Sequence, residues 1–489
     1  MYKKEYVNVS EVDLNIRETL KERFNKCKCR VLGFARSNKP LIELLLDSGA
    51  LVTVHDKNEN IINDEKYVAF KQRGVEFKIG DSYLDGGLCA DYIFRSPVFR
   101  PDIKEIAQAV EKGAILSSEM ELFFEICPCR IIGITGSDGK TTTTTLTHLF
   151  LKTYLESIGG ATAYVGGNIG APLLPHVFEM SEDDIAVVEL SSFQLMDMTR
   201  SPYRALITNI TPNHLNWHTD MDEYISAKAN ICKNSGMSLF VANRENATVK
   251  QIADEMDVPV TYFSSTKCSY DEIVPSFKRD CKAIYESDGA IVIDDGREQR
   301  KIINTADILL PGRHNIENYM AAIALTDSLV SAEAVRQVAT TFKGVEHRLE
   351  LVREKDGVRF YNSSIDSSPS RTAAALSALS TKPIIICGGA EKGVEFDTLA
   401  RDLCEKTCAV VLTGASAPKI LAELEKCPIY DRDSLLVRHI SDFDEAVKFA
   451  AYIAKKGDIV LLSPACTSFD RFVDFAHRGN HFKDIVNSL

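Results

Sequence analysis

The stretch RIIGITGSDGKTTTTTLTHLF, residues 130–150, runs from an apolar segment through a glycine-bounded loop to a lysine and five consecutive threonines. It reads as strand, loop and helix. Gly136 and Gly139 free the backbone to turn its N–H groups inward, toward phosphate oxygens. Lys140 adds a point charge for the outer phosphates, and the Thr141 hydroxyl can sit on Mg²⁺. The helix that starts there points its positive end at the anion. The strict pattern G-x-x-x-x-G-K-[ST] asks for a glycine where Ile134 stands, so Thr135-Gly136 carries the turn of a variant loop. Thr142 to Thr145 read mostly as helix-facing filler.

Outward from this loop, strands and helices alternate along almost the whole chain. CRVLGFA, ALVTVHD, IAVVELSS and RALITNIT read as buried strands, as do KPIIICGGA, CAVVLTGAS and DIVLLSPA near the C-terminus. Short apolar runs that end in Gly, Ser or Asp, separated by helical patterns, mean parallel sheets. The fold class is α/β, in three domains expected over residues 1–127, 128–344 and 345–489, with seams near Cys127-Pro128-Cys129 and Lys343-Gly344. The polar stretch 265–301 reads as β-rich surface structure of the middle domain.

A chain of 489 residues exceeds one core. Its net charge of −12 argues against a general nucleic-acid binder. Thirteen cysteines include the C-x-C pairs Cys27/Cys29 and Cys127/Cys129, with no second C-x-x-C or nearby histidine cluster to complete a zinc site. They read as reduced structural cysteines of a cytoplasmic protein. No apolar signal core or membrane span is visible in the sequence, so neither nucleic acid nor membrane is expected as a partner.

Near the N-terminus, VLGFARSN and VTVHDKNE approach a dinucleotide fingerprint, with Gly33 after one strand and Asp56 ending the next. Ala35 and Asn38 replace the second and third glycines, and a Cβ at 35 hinders pyrophosphate approach. Another nucleotide at the same strand ends, or a plain βαβ unit, fits better than NAD. In the middle domain Glu189 ends a buried strand opposite the phosphate loop, where a carboxylate can bind metal. His214 follows another strand end, and Asn168 lies between glycines, as where an amide approaches a ligand closely. Lys228, on spacing alone, reads as a surface helical lysine.

GITGSDGKTT, GGNIG, VELSSFQL, TNITPNHL, YISAKANI, LPGRHNIEN, HRLE and LLSPACTSFDRF…RGNHF occur in this order, and together they resemble the Mur ligases, most closely the D-glutamate-adding branch. The resemblance covers the chain from about Cys29 to its end. It implies a Rossmann-like UDP-binding domain, a central P-loop ATPase domain with a parallel sheet, and a Rossmann-like C-terminal domain for the incoming amino acid. It further implies that Gly136, Ser137, Asp138, Gly139, Lys140, Thr141 and Thr142 cradle ATP, with Asn315 near the adenine and Arg348 on a phosphate. Thr141 and Glu189 would hold one Mg²⁺, and His214 and a carbamylated Lys228 would hold or frame a second, which overturns the surface reading of Lys228. Asn168 and Ser191-Ser192 would face the muramoyl substrate. Ser37, Asn38, Asp56 and Lys57 would meet the uridine diphosphate, and Ser463 and Phe469 the D-glutamate.

Two stretches depart from the pattern. YNSSIDSSPSR carries Ser363 where relatives have an aspartate and Ile365 where they have a lysine, which removes a cation for the D-glutamate carboxylate. Asp366, Ser367, Ser368 or Arg371 could compensate, or Lys392 could hold that carboxylate. SPVF, residues 96–99, lacks the glycine of the family's SPG. The implied reaction is ATP-dependent: a monomer phosphorylates the alanyl carboxylate of UDP-N-acetylmuramoyl-L-alanine to an acyl phosphate, and the D-glutamate amine displaces the phosphate. The alternatives are a ligase with altered amino-acid choice and a P-loop ATPase or sensor that ligates nothing.

Overall fold

Buried apolar runs dominate the central strands of three sheets. The computed structural model describes residues 9–215, 217–310, 312–390 and 395–489, with side chains from residue 14 onward. The first sheet contains β1 (Lys28–Leu32), β2 (Leu51–Asp56), β3 (Glu76–Ile79), β4 (Tyr92–Arg95) and β5 (Ile115–Ser117), in the order β3-β2-β1-β4-β5. All its pairings are parallel, so the strand order reverses between β1 and β4. Ligands of open α/β sheets bind outside the carboxyl ends at such a switch point. Here these ends carry Gly33–Asn38 and Arg95–Phe99.

The second sheet holds β6 (Arg130–Thr135), β7 (Ala163–Gly167), β8 (Ile185–Glu189), β9 (Arg204–Ile207), β10 (Leu239–Asn243), β11 (Val260–Phe263), β12 (Lys282–Ser287), β13 (Ala290–Asp294) and β14 (Gln299–Asn304). Its order is β14-β13-β12-β11-β10-β9-β6-β8-β7, with β6 between β8 and β9. The polar stretch forms the antiparallel edge β12-β13-β14. It is less superficial than its composition suggests, because Ala283, Ile284 and Ile291 are fully buried.

The third sheet holds β15 (Glu350–Lys355), β16 (Val358–Asn362), β17 (Ile384–Cys387), β18 (Ala409–Leu412), β19 (Leu436–His439) and β20 (Ile459–Leu462), in the order β15-β16-β20-β17-β18-β19. Only the β15–β16 pairing is antiparallel. The first two sheets belong to one compact unit, and the third to another that also takes Leu309–Gly312. Among the described residues, no helix is long and apolar enough to cross a membrane.

Candidate active site

β6 ends in Thr135, and the helix Lys140–Ile158 starts one short loop later. Gly136 and Gly139 have φ of +147° and +78°, a left-handed region in which a side chain is strained. A Cβ on Gly136 would overlap Thr208 Oγ1, and one on Gly139 would lie 2.6 Å from Asn318 Oδ1. The loop is laced to β9 and its following turn: Ser137 N donates to Asn209 O, Asp138 N to Asn209 Oδ1, and Thr208 Oγ1 to Asp138 O. Ser137 Oγ donates to Thr211 O at 3.0 Å and lies 2.9 Å from the Tyr224 hydroxyl. Lys140 Nζ donates to Ser137 O at 2.8 Å, so its ammonium folds over the loop. On the far side Thr143 Oγ1 donates to Asn318 Oδ1, and Asn318 Nδ2 to Asn315 Oδ1. The helix Arg313–Thr326 thereby places Asn315 beside the phosphate-loop helix. Thr141 and Thr142 are half-buried in its first turn.

Two buried groups face this loop. Glu189 closes β8 and is 1% exposed. Asn168 Nδ2 donates to its Oε1 at 2.8 Å, while Oε2 is buried with no hydrogen-bond partner. A buried carboxylate oxygen left without a donor is costly unless a cation meets it. Lys228, in the helix Met221–Ala229, is also 1% exposed. Its Nζ donates to Gly136 O at 2.7 Å and lies over the Tyr224 ring. Burial first, then the nearby Lys140 charge, pulls its pKa down to about 6, against Asp138 and Glu189. The amine is therefore mostly neutral at pH 7.

His214 is exposed, with φ of +56°, and meets the Phe193 ring edge-on at 5.0 Å. Ser191 caps the short helix Ser192–Leu195 in a reciprocal box with Gln194. Ser192 is buried and bonds His218 Nε2 at 2.9 Å. His218, absent from the sequence reading, is buried between Ser192 and Glu223, whose Oε2 is 3.1 Å from Nδ1. Arg100 grips Glu223 and the Trp217 carbonyl, and Arg95 grips Asp197 and the Phe193 carbonyl. Hydrogen bonding to Arg100 above all holds the Glu223 carboxyl down at about 2. These contacts fasten the 95–100 loop of the first sheet to the loops that carry His214 and Ser192. The spacing of WHTDMDE in the sequence hinted at His218–Glu223, but nothing local pointed to Arg95 or Arg100.

At the switch point of the first sheet, Asp56 accepts from Phe34 N at 2.6 Å and from Asn58 N at 2.8 Å, so it shapes the loop after β1. Asn38 is buried, its amide donating to the carbonyls of Leu32 and Gly33. Ser37 precedes the helix Asn38–Asp47 without a side-chain capping bond, and Lys57 is 73% exposed. Phe99 lies where a Cβ on Gly33 would be 3.1 Å away, so SPVF closes tightly over the glycine turn.

In the second unit Ser463 is fully buried, donating its hydroxyl at 2.8 Å to Asp366 and lying 2.9 Å from Thr372 Oγ1. Its hydroxyl is spent on these two side chains inside the unit, so it lines no open pocket of the kind the sequence suggested. Burial lifts the Asp366 pKa to about 6, against hydrogen bonds from Ser363 and Ser463 and the charge of Arg348. Ser363 Oγ also accepts from Leu349 N at 3.1 Å, which steadies the turn where His347 and Leu349 both take left-handed φ. Asp366 thus lies three residues beyond Ser363 and is hydrogen-bonded to it. Ile365 is half-buried, Arg371 donates to its carbonyl, and Phe469 is 65% exposed. Lys392 lies outside the described residues.

A glycine loop at a helix start, a buried acid with one unpartnered oxygen and a buried neutral lysine define a P-loop enzyme that handles nucleotide phosphates. The Mur ligase middle domain pattern matches residues 134–326, and the pattern described as Mur ligase, glutamate ligase domain matches residues 347–466. The chain is 42% identical over 472 residues to the UDP-N-acetylmuramoylalanine–D-glutamate ligase of Acetivibrio thermocellus, covering 96% of this chain and 98% of that one. It is 43% identical to the protein of the same name from Clostridium novyi, covering 96% and 100%. In fold it is similar to the UDP-N-acetylmuramate-alanine ligase MurC of Thermotoga maritima, with TM-score 0.54, 19% identity and coverage of 94% and 99%. The chain belongs to the Mur ligase family.

Proposed function

We propose that this chain joins the amine of D-glutamate to the alanyl carboxylate of UDP-N-acetylmuramoyl-L-alanine, converting ATP to ADP and phosphate. The observation that carries the reading is the 42% identity, over nearly the whole chain, to ligases of that name. The buried Glu189–Lys228 arrangement around the phosphate loop supports the chemistry.

A carboxylate is a poor electrophile, so it is first phosphorylated. The loop from Gly136 to Thr142 cradles the ATP phosphates with the N–H groups that Asn209 does not take, at the start of the helix, and the Lys140 ammonium swings from Ser137 O onto the outer ones. The donor set fits Mg²⁺, because Glu189 Oε2 is a buried anionic oxygen with no competing donor. Thr141 and Glu189 would hold one ion, and His214 with Lys228 would frame a second. Bound Mg²⁺ supplies neutralisation of phosphate charge. The neutral Lys228 amine adds to CO₂ with loss of a proton, and the carbamate keeps one N–H for Gly136 O. Asn168 keeps Glu189 oriented, and Asn315 lies toward the adenine. Ser191 and Ser192 present the muramoyl substrate. Ser37, Asn38, Asp56 and Lys57 frame the uridine diphosphate at the first switch point. Arg348 steadies a phosphate. The D-glutamate amine then attacks the acyl carbon, and phosphate leaves.

We place the reaction in the cytoplasm, carried out by a monomer. The described cysteines form no disulfide, which suits a reducing compartment. The test is phosphate release with UDP-N-acetylmuramoyl-L-alanine against a panel of D- and L-amino acids. D-glutamate should give the highest kcat/KM. Preference for another amino acid would establish altered specificity, and release indifferent to all of them would establish a non-ligating ATPase.

With Ile365 in place of a lysine, D-glutamate recognition falls to Lys392, Phe469 and backbone donors near the Ser463–Asp366 pair. Lys392→Ala should raise KM for D-glutamate by about 10- to 150-fold, the worth of one charged hydrogen bond, and leave KM for ATP nearly unchanged. Ile365→Lys should do little. A sharp gain from Ile365→Lys with no effect of Lys392→Ala would refute this assignment.

His218 acts as a positioning residue, through Ser192. His218→Ala should raise KM for the UDP substrate by about tenfold, one hydrogen bond's worth, with KM for ATP much less affected. A fall in thermal stability with both KM values unchanged would reduce His218 to a structural role.

A further inference from the structure

The mechanism leaves one sequence motif unused. Cys127 caps the helix Glu119–Ile126, Pro128 turns the chain, and Cys129 immediately precedes β6. The two thiols converge, with Sγ atoms 3.4 Å apart. Met180, just past the 3₁₀ turn Leu174–Phe178, brings its Sδ to 3.8 Å from Cys127 Sγ and 4.0 Å from Cys129 Sγ. Met180 is fully buried and Cys129 nearly so, while Cys127 is half-buried and gives access from solvent. In the other C-x-C pair Cys27 donates its thiol to the Arg23 carbonyl at 3.1 Å, whereas Cys127 reaches a carbonyl, that of Cys129, only at 3.8 Å. The triad sits at the opposite end of β6 from the phosphate loop, about 20 Å away at roughly 3.3 Å per strand residue.

We propose that Cys127, Cys129 and Met180 form a site for one soft monovalent metal ion, Cu(I), in three-coordinate sulfur geometry. A planar three-coordinate ion with metal–sulfur bonds of about 2.3 Å sets its ligand sulfurs about 4 Å apart. The observed triangle of 3.4, 3.8 and 4.0 Å needs only slight expansion. Two thiolates and a thioether are the soft donor set that selects Cu(I). Zinc prefers four nitrogen or sulfur ligands, and among the described residues no group of three or more His, Cys, Asp and Glu could hold a metal. On binding, the two thiols release their protons and two S–Cu bonds form beside the thioether bond. Copper enters and stays as Cu(I), so no electron is transferred. The bound ion would clamp the end of the helix Glu119–Ile126 to the start of β6.

The test is an anaerobic titration of the reduced full-length protein with Cu(I), delivered from its bicinchoninate complex. One Cu(I) per chain should bind tightly, and X-ray absorption should show three sulfur neighbours. The C127S/C129S double variant should lose this binding. Met180→Leu should weaken it by at least about 10- to 100-fold, the range lost when an outer-shell partner of a metal is removed. Cys404→Ser, at a distant thiol, should leave it unchanged. Copper-free phosphate release, equal to that of the parent, shows that each variant is folded. Unchanged binding in C127S/C129S, or in Met180→Leu with only two sulfur neighbours, overturns the proposal.

Discussion

Lys228→Met should cut turnover by about 100-fold or more, the scale of removing one transition-state stabilising group, while making the ligand-free protein more stable at pH 7. The buried Lys228 has a pKa of about 6, against an ordinary 10.5. Between those values the unfolded chain binds a proton that the folded chain refuses. Stability therefore rises with pH across the window, by up to about 1.4 kcal/mol per pH unit from this group. Methionine has nothing to deprotonate. After subtracting about 1 kcal/mol for the lost bond to Gly136 O, the variant should gain about 2 to 4 kcal/mol at pH 7. The gain should shrink as pH rises toward 9. Denaturant unfolding of both proteins at several pH values measures it. Equal stability throughout would mean that Lys228 is charged in the fold. Lys228→Ala, nearly inactive, should regain some turnover with added short carboxylates that stand in for the proposed carbamate. Wild-type turnover in that variant would return Lys228 to an ordinary structural lysine.

Lys140→Ala should lower kcat/KM for ATP by about 100- to 1,000-fold, as expected when a preorganised charge on the transferring phosphoryl group is lost. Lys140 Nζ already folds over the loop onto Ser137 O. Removing it should not disturb the loop, whose shape rests on Gly136, Gly139 and the bonds to Asn209 and Thr208. Binding of the UDP substrate should persist in calorimetry, because the residues proposed to hold it follow β1 and β2 on the first sheet. A folded variant that loses both equally would show that the two nucleotide sites are wrongly divided.

Much of the fold is legible in the chain because local chemistry determines it. The apolar runs around Val31, Val54, Ile132, Val187, Leu206, Ile385, Val410 and Leu461 became the parallel strands β1, β2, β6, β8, β9, β17, β18 and β20. A strand covered on both faces must be apolar throughout, and that leaves a plain signal. The strands β3, β7 and β19 lacked it. They are edge strands with polar or glycine residues, held by pairing with a neighbour more than by their own composition. The phosphate loop was equally readable, since its glycines answer to backbone geometry within a few residues.

The state of the site was decided elsewhere. By spacing, Lys228 is a surface lysine of an ordinary helix. It is buried because Tyr224 and the Gly136 carbonyl, 92 positions away, close over it, and that burial shifts its pKa. His218 became a linker because Ser192 comes to its Nε2 and Glu223 to its Nδ1. Asp366 meets Ser463 only once β16 and β20 lie side by side. Sequence by itself determined which segments become strands of parallel sheets and where a glycine loop of phosphate-binding type joins strand to helix, since periodicity and glycine content act locally. Tertiary structure alone decided which polar groups lose water and which partner each meets, because desolvation and hydrogen bonding depend on neighbours that the chain brings together only on folding.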